Sequence, residues 1–222
     1  MKKIFSLVLV LIMLAALVLT ACGEKPEDNK AGTGDNAGGN VSGGDNSNEQ
    51  DDKNAAIDTK EALTSIMTKT RESTANDDSI FVPPTFEDPV TADNCENMLG
   101  LTPEQFNQYV TDAYSSSAAI ITQAFQVALV KCKDSKAATE VKNLIAGGFN
   151  SQKWVCVIPE QCFVVEAGSF VLLGAVYDNV AGALQNSFNE QFEGRAGNVN
   201  KFYERGSDVP AEGGLGGGLI LD

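Results

Sequence analysis

Five cysteines, thirty carboxylates and no histidine define the side-chain chemistry open to this 222-residue chain. Without imidazole, Ser-His-Asp and Cys-His nucleophiles, histidine-ligated zinc or heme and a histidine pH switch are all excluded. The carboxylates outnumber sixteen Lys and Arg side chains and give a formal charge of −14. No nucleic-acid partner is expected, because phosphate recognition needs clustered basic side chains. Abundant acid is not by itself a site. Glu160 and Glu166 flank an expected hairpin, and Glu190 and Glu193 end the expected last helix. A glycosidase-type pair would need one carboxyl raised by an apolar pocket, and solvated surface is the simpler reading. The chain contains no Ser-x-x-Lys, no phosphate loop and no Gly-x-Ser-x-Gly elbow.

The first cysteine stands apart from the other four. Lys2 and Lys3 precede an apolar run from Ile4 to Leu19, broken only by Ser6, and the run ends in Leu19-Thr20-Ala21-Cys22. Residues 1–21 read as a secretory signal peptide with charged, apolar and small-residue regions in order. A cysteine directly after small residues resembles a bacterial lipobox, which makes Cys22 the expected lipidation site. Acyl chains on the new N-terminal cysteine would anchor the protein, since each buried methylene contributes about 0.8 kcal/mol. The alternative is an uncleaved membrane helix, for which the run is near the lower length limit. The expected location is the extracytoplasmic face of the cell membrane, with the membrane itself as a partner through the lipid.

Cys95, Cys132, Cys156 and Cys162 remain. An even number in an exported domain permits two disulfides. Cys156 and Cys162 are the favoured pair, because Pro159 between them supports a turn. The competing reading makes all four small buried hydrophobes, and the apolar surroundings of Cys95 and Cys132 favour it. Zinc held by four thiolates lacks the usual C-x-x-C pairs, and no metal or other cofactor is expected. Cys132 lies between Lys131 and Lys133, but on a strand those lysines point to the opposite face. Trp154, the one tryptophan, reads as a core or rim residue before a ligand-stacking platform.

These residues must be positioned by a single domain. Residues 22–56 are mostly Gly, Asn, Asp, Glu and Lys, with Val41 the only large apolar side chain. They form an expected disordered tether that reaches roughly 30 Å. Residues 57–205 form the expected globular domain, and 206–222 a Gly-rich flexible tail. Gly213 to Gly218 departs from a calcium-binding nonapeptide, because Gly218 replaces the Asp ligand. Leu219-Ile220-Leu221 could fold back on the domain.

Within the domain, Asp58 and Glu61 suggest a helix start, with Leu63, Ile66 and Met67 as its stripe. Pro83, Pro84 and Pro89 mark a loop. Asp93 and Glu96 open a short helix that Gly100 ends. Thr102, Pro103 and Gln105 are a full helix start, stapled by Leu101 and Phe106, with Val110 and Ala113 continuing the apolar face. Residues 118–133 read as strand, Ser115–Ile121 as a potential fourth strand, and Ser135–Ile145 as a helix stopped by Gly147-Gly148. Phe163–Glu166 and Phe170–Tyr177 form a hairpin around Ala167-Gly168-Ser169, the second strand being central because it is apolar on both faces. Asp178 caps a final helix carrying Ala181, Leu184, Phe188 and Phe192. The expected fold is α+β, a mainly antiparallel sheet of three to four strands with helices packed on one face.

With the lipobox and the low-complexity tether, Leu129-Val130-Lys131-Cys132-Lys133-Asp134 running into Ser135-Lys136-Ala137-Ala138 resembles a family of small Gram-positive lipoproteins. The later Phe170-Val171-Leu172-Leu173 fits as well. The family is classed as a domain of unknown function (domain of unknown function 4358). The resemblance spans roughly residues 58–193 and implies a fold and a location, without functional residues. Two function classes follow from the chain as a whole. One is a non-enzymatic module that binds an envelope protein or small ligand; the other is an envelope hydrolase or transferase acting through carboxylates. A deep pocket with convergent carboxylates would mark the second, and an apolar patch without them the first.

Overall fold

The structure, a computed structural model, describes residues 56–207. The expected signal peptide, Cys22, the tether up to residue 55 and the tail from residue 208 lie outside the described residues. The domain opens with helix α1 (Thr59–Thr74), strand β1 (Thr85–Pro89), two short helices α2 (Cys95–Leu99) and α3 (Pro103–Tyr109), and strand β2 (Val110–Ala118). Strand β3 (Gln126–Cys132), helix α4 (Ser135–Gly148), the hairpin β4 (Gln161–Ala167) and β5 (Phe170–Val176), helix α5 (Asp178–Gln191) and strand β6 (Asn200–Glu204) follow. The strands form one antiparallel sheet of six, in the order β1-β2-β3-β5-β4-β6. This is an α+β domain with a larger sheet than the three to four strands expected.

Helices cover both faces of the sheet, which corrects the expectation of cover on one face. Val127, Leu129, Phe163, Val165, Phe170 and Leu172 point to one side and pack with Leu63, Ile66 and Met67 of α1 and Leu184 and Phe188 of α5. Ala128, Val130, Cys132, Val164, Val171 and Leu173 point to the other and pack with Leu99, Val141 and Ile145. The physical reason is visible in β3, β5 and β4. Runs such as Phe170-Val171-Leu172-Leu173 bury alternate side chains in opposite directions, so two apolar layers are needed to keep them from water. As the two-sided pattern suggested, β5 is central, between β3 and β4.

Local signals placed several boundaries well. Asp58 accepts from the Glu61 amide at 2.8 Å. Thr102 and Gln105 close a reciprocal capping box, and Gly100 ends α2 with φ 72°. The β4–β5 turn carries a positive φ at Gly168 alone, as a two-residue type II′ loop requires.

Other boundaries moved. The helix from Thr102 ends at Tyr109, and Val110 and Ala113 belong to β2 rather than to a helical face. Val110 and Thr111 are β-branched, and the strand ladders to β1 and β3 outweigh another helical turn. The continuous strand expected over 118–133 is divided by a loop at 119–125. The proline-marked loop contains β1, an edge strand, where Pro89 needs no ladder partner for its nitrogen. Gly147-Gly148 lies inside α4, because Gly148 is needed for close approach: a Cβ there would sit 2.2 Å from the Gly100 carbonyl oxygen. Asp178 is the first residue of α5 rather than its cap, and its carboxylate accepts from Gln161 Nε2 at 2.7 Å.

Candidate functional site

The sheet register brings a defined set of loops to one end. Thr85 pairs with Ala118, Ser117 with Gln126, Gln126 with Ala175, Val176 with Gln161, and Gln161 with Glu204. The 119–125 loop, the 149–160 loop, Tyr177 and Arg205 therefore meet at this loop end. They enclose a hollow of about 240 Å³ lined by Thr122, Ala124, Cys156, Val157, Ile158, Tyr177 and Arg205. Beside the lining residues, Ile120 is 52%, Ile121 89% and Val155 98% exposed.

The base under these side chains is tied down by polar contacts. Lys153 Nζ donates to the Asn97 carbonyl at 2.6 Å and to Gln126 Oε1 at 2.5 Å. It also sits 4.7 Å from the Phe149 ring centre and 5.0 Å from that of Trp154. Burial pushes its pKa down to about 8, since the ammonium is held away from water. Gln126 Nε2 completes the network by donating to the Met98 carbonyl at 2.7 Å. Trp154 is a half-buried residue packed against the core and edge-on to Phe149, in agreement with the core-or-rim reading. On the other flank, Arg205 pairs with Glu160 at 2.8 Å, and Glu160 Oε2 accepts from the Asp178 amide at 2.9 Å. Burial first, and the Glu160 charge next, raise the Tyr177 pKa, while Arg205 opposes them.

The opposite end of the sheet holds more of the groups that could do chemistry. A cleft of about 550 Å³ is lined by Asp58, Thr111, Asp112, Lys131, Lys133 and Ser169, among others. Several of these already have work within the fold. The Asp58 carboxylate caps α1, Lys131 Nζ donates to the Ile57 carbonyl at 2.9 Å, and Lys133 Nζ to that of Asn107 at 3.2 Å.

The remaining sequence candidates are dispersed. All four domain cysteines are free thiols, with Cys95, Cys132 and Cys162 buried and Cys156 exposed. The favoured Cys156–Cys162 disulfide is not formed. Cys162 lies in β4 with its side chain in the buried layer that α4 covers, whereas Cys156 faces solvent in the preceding loop. Burial pushes Cys132 and Cys162 up to about 12 and also raises Cys95. For Cys132, Asp134 and Glu166 add to that rise. Glu160 precedes β4 and Glu166 lies near the far end of that strand, about 20 Å away at strand spacing, so they do not converge. Glu166 pairs instead with Lys142 at 2.6 Å, and Glu193 lies 3.8 Å from Arg195. Among the described residues no group of three or more Cys, Asp and Glu is placed to hold a metal ion, and no helix is long and apolar enough to cross a membrane.

Compared with known proteins, the chain matches no family model, no curated protein and no solved structure. The exposed residues of the loop end belong to no sequence motif. Their one sequence signal is Ile120-Ile121, a β-branched pair placed where alternation stops and a turn begins.

Proposed function

We propose that the chain is a membrane-anchored extracytoplasmic lipoprotein, held through lipidated Cys22, whose domain is a non-enzymatic binding module. The observation that carries this reading is the loop end of the sheet. Ile120, Ile121 and Val155 project into solvent from a base fixed by Lys153 and the Glu160–Arg205 pair. Aliphatic side chains held in that way have a use when a partner removes them from water. The neighbouring hollow, about 240 Å³, is below the usual size of small-molecule sites, which favours an envelope protein over a small ligand. The anchor rests on the residues from Lys2 to Cys22 and on the resemblance to small Gram-positive lipoproteins. A carboxylate hydrolase would need two cooperating acids. In the cleft lined by both Asp58 and Asp112, Asp58 is committed to capping α1, which argues against that reading.

The test uses the full chain in intact cells. Palmitate-analogue labelling should mark the wild type and leave Cys22→Ala blank. Chemical crosslinking should then capture a partner with the wild type and lose it with the Ile121→Glu/Val155→Glu variant at equal abundance. Unchanged capture by that variant would remove the loop end as the recognition surface.

A further inference from the structure

We infer that β1 is a docking edge for a second copy of this chain, paired antiparallel about Phe86 so that two six-stranded sheets continue as one. The inference uses none of the exposed loop-end residues and stands apart from the recognition surface proposed there.

The backbone supplies the first support. β1 ends the sheet, with β2 as its one neighbour. The Ala119 amide donates to the Pro84 carbonyl and the Val90 amide to the Ala113 carbonyl, so the even-numbered residues of β1 bond inward. Thr85 and Glu87 therefore turn their N–H and C=O groups outward, where no strand meets them among the described residues. The next outward positions are Pro83 and Pro89, which have no N–H to offer. One antiparallel register gives both amides a reciprocal partner. It sets Thr85 opposite Glu87 of the second copy, and Glu87 opposite its Thr85.

The side chains fit that register. Thr85 Oγ1 accepts from Arg71 at 2.8 Å and Glu87 Oε2 from Thr64 at 2.7 Å, so both side chains face α1. Glu87 and Arg71 line the same groove, yet neither is ion-paired among the described residues. Across the axis, each Glu87 sits opposite the Thr85 that the other copy's Arg71 holds, so opposite charges meet twice. Phe86 points to the other face and is 65% exposed. The two Phe86 residues become a directly opposed, non-hydrogen-bonded pair with Cα atoms about 4.5 Å apart, the closest cross-strand position for two rings. The contact is self-complementary and closes as a dimer. The far edge of the sheet offers no such match. β6 exposes Asn200, Lys201 and Glu204, and its Phe202 packs on Phe149.

The test is disulfide trapping of the full chain in intact cells. Cys156→Ser removes the exposed domain thiol, and Cys95, Cys132 and Cys162 are buried. In that background Phe86→Cys places two thiols across the axis within disulfide reach. Mild oxidation should link two copies through position 86 about tenfold faster than through Phe81→Cys, an equally open site (53% exposed) outside the paired stretch, because docking raises the local concentration. Glu87→Arg should slow linkage from position 86 by about tenfold, since like charges then meet across the axis, and adding Arg71→Glu should restore it. Thermal unfolding of each variant separates loss of pairing from loss of fold. Equal rates from positions 86 and 81 would overturn the inference. So would a rate from position 86 that Glu87→Arg leaves unchanged, or one that Arg71→Glu fails to restore at an unchanged melting temperature.

Discussion

The two ends of the sheet divide chemistry and exposure between them. At the cleft end stand Asp58, Asp112, Lys131, Lys133 and Ser169, the set a search for reactive groups would select. Three of the four charged side chains there are already spent on the fold, as a helix cap and as donors to backbone carbonyls. At the loop end Ile120, Ile121 and Val155 are exposed aliphatics, and buried Lys153 and the Glu160–Arg205 surface pair tie down the adjoining segments. Charged residues accumulate where they satisfy backbone groups, so their number says little about function. Apolar residues left in water on a fixed base are the more informative observation.

The comparison can be broken most forcefully through the scaffold below the loop end. Gly148→Ala should destabilise the domain by about 3 kcal/mol, because its Cβ would meet the Gly100 backbone at the entry to the 149–160 loop. Gly147→Ala, with open space around the added carbon, should be neutral or slightly stabilising. Urea unfolding of both variants decides this, and equal effects would deny the close contact.

Lys153 gives a smaller effect with a sign fixed by its environment. Burial lowers its pKa in the folded state from 10.5 to about 8, so between those values the unfolded chain binds the extra proton. Its contribution to stability therefore rises with pH across that window. The buried thiols act in the opposite direction, since their folded pKa values are raised and the unfolded chain loses their protons first. The test is thus a difference. The stability of wild type minus Lys153→Met should increase from pH 8 to pH 10.5, and a flat or falling difference would place Lys153 in water.

At the cleft end, Asp58→Ala should reduce stability by about 1 kcal/mol through loss of the α1 cap. The smallest effect sharpens the contrast most. Ile121→Ser and Val155→Ser should each change thermal stability by less than about 0.5 kcal/mol, although both remove large apolar side chains. A melting temperature lowered by several degrees in either would mean that these residues belong to the core.

What could be read from the sequence was local. Caps at Asp58 and Thr102, the left-handed Gly100 and the Gly168 turn depend on neighbours three or four positions away, and all appeared where the residues indicated. Long-range pairing was less legible. β1 lies between prolines and β6 buries none of its residues fully, so neither shows the apolar alternation that marks an inner strand. Val110 satisfied a helical stripe and a strand alike, and only pairing with Cys132 decided between them. The second helical layer was implicit in β3, β4 and β5, each apolar in consecutive positions. For the candidate site, Trp154 was legible as a rim residue, but its neighbour Lys153 gained its role from Asn97 and Gln126, distant in sequence. Exposure at Ile121 and Val155 depends on the whole sheet register and is encoded in no short motif.

The claim that recognition occurs at the loop end is tested most directly by photocrosslinking in intact cells. A photoreactive amino acid would be placed at Val155 in one full-length variant and at Thr111, in the cleft at the opposite end, in another. The account predicts a discrete adduct of higher mass from position 155 and none from position 111. An adduct from position 111 alone would contradict it and assign recognition to the cleft.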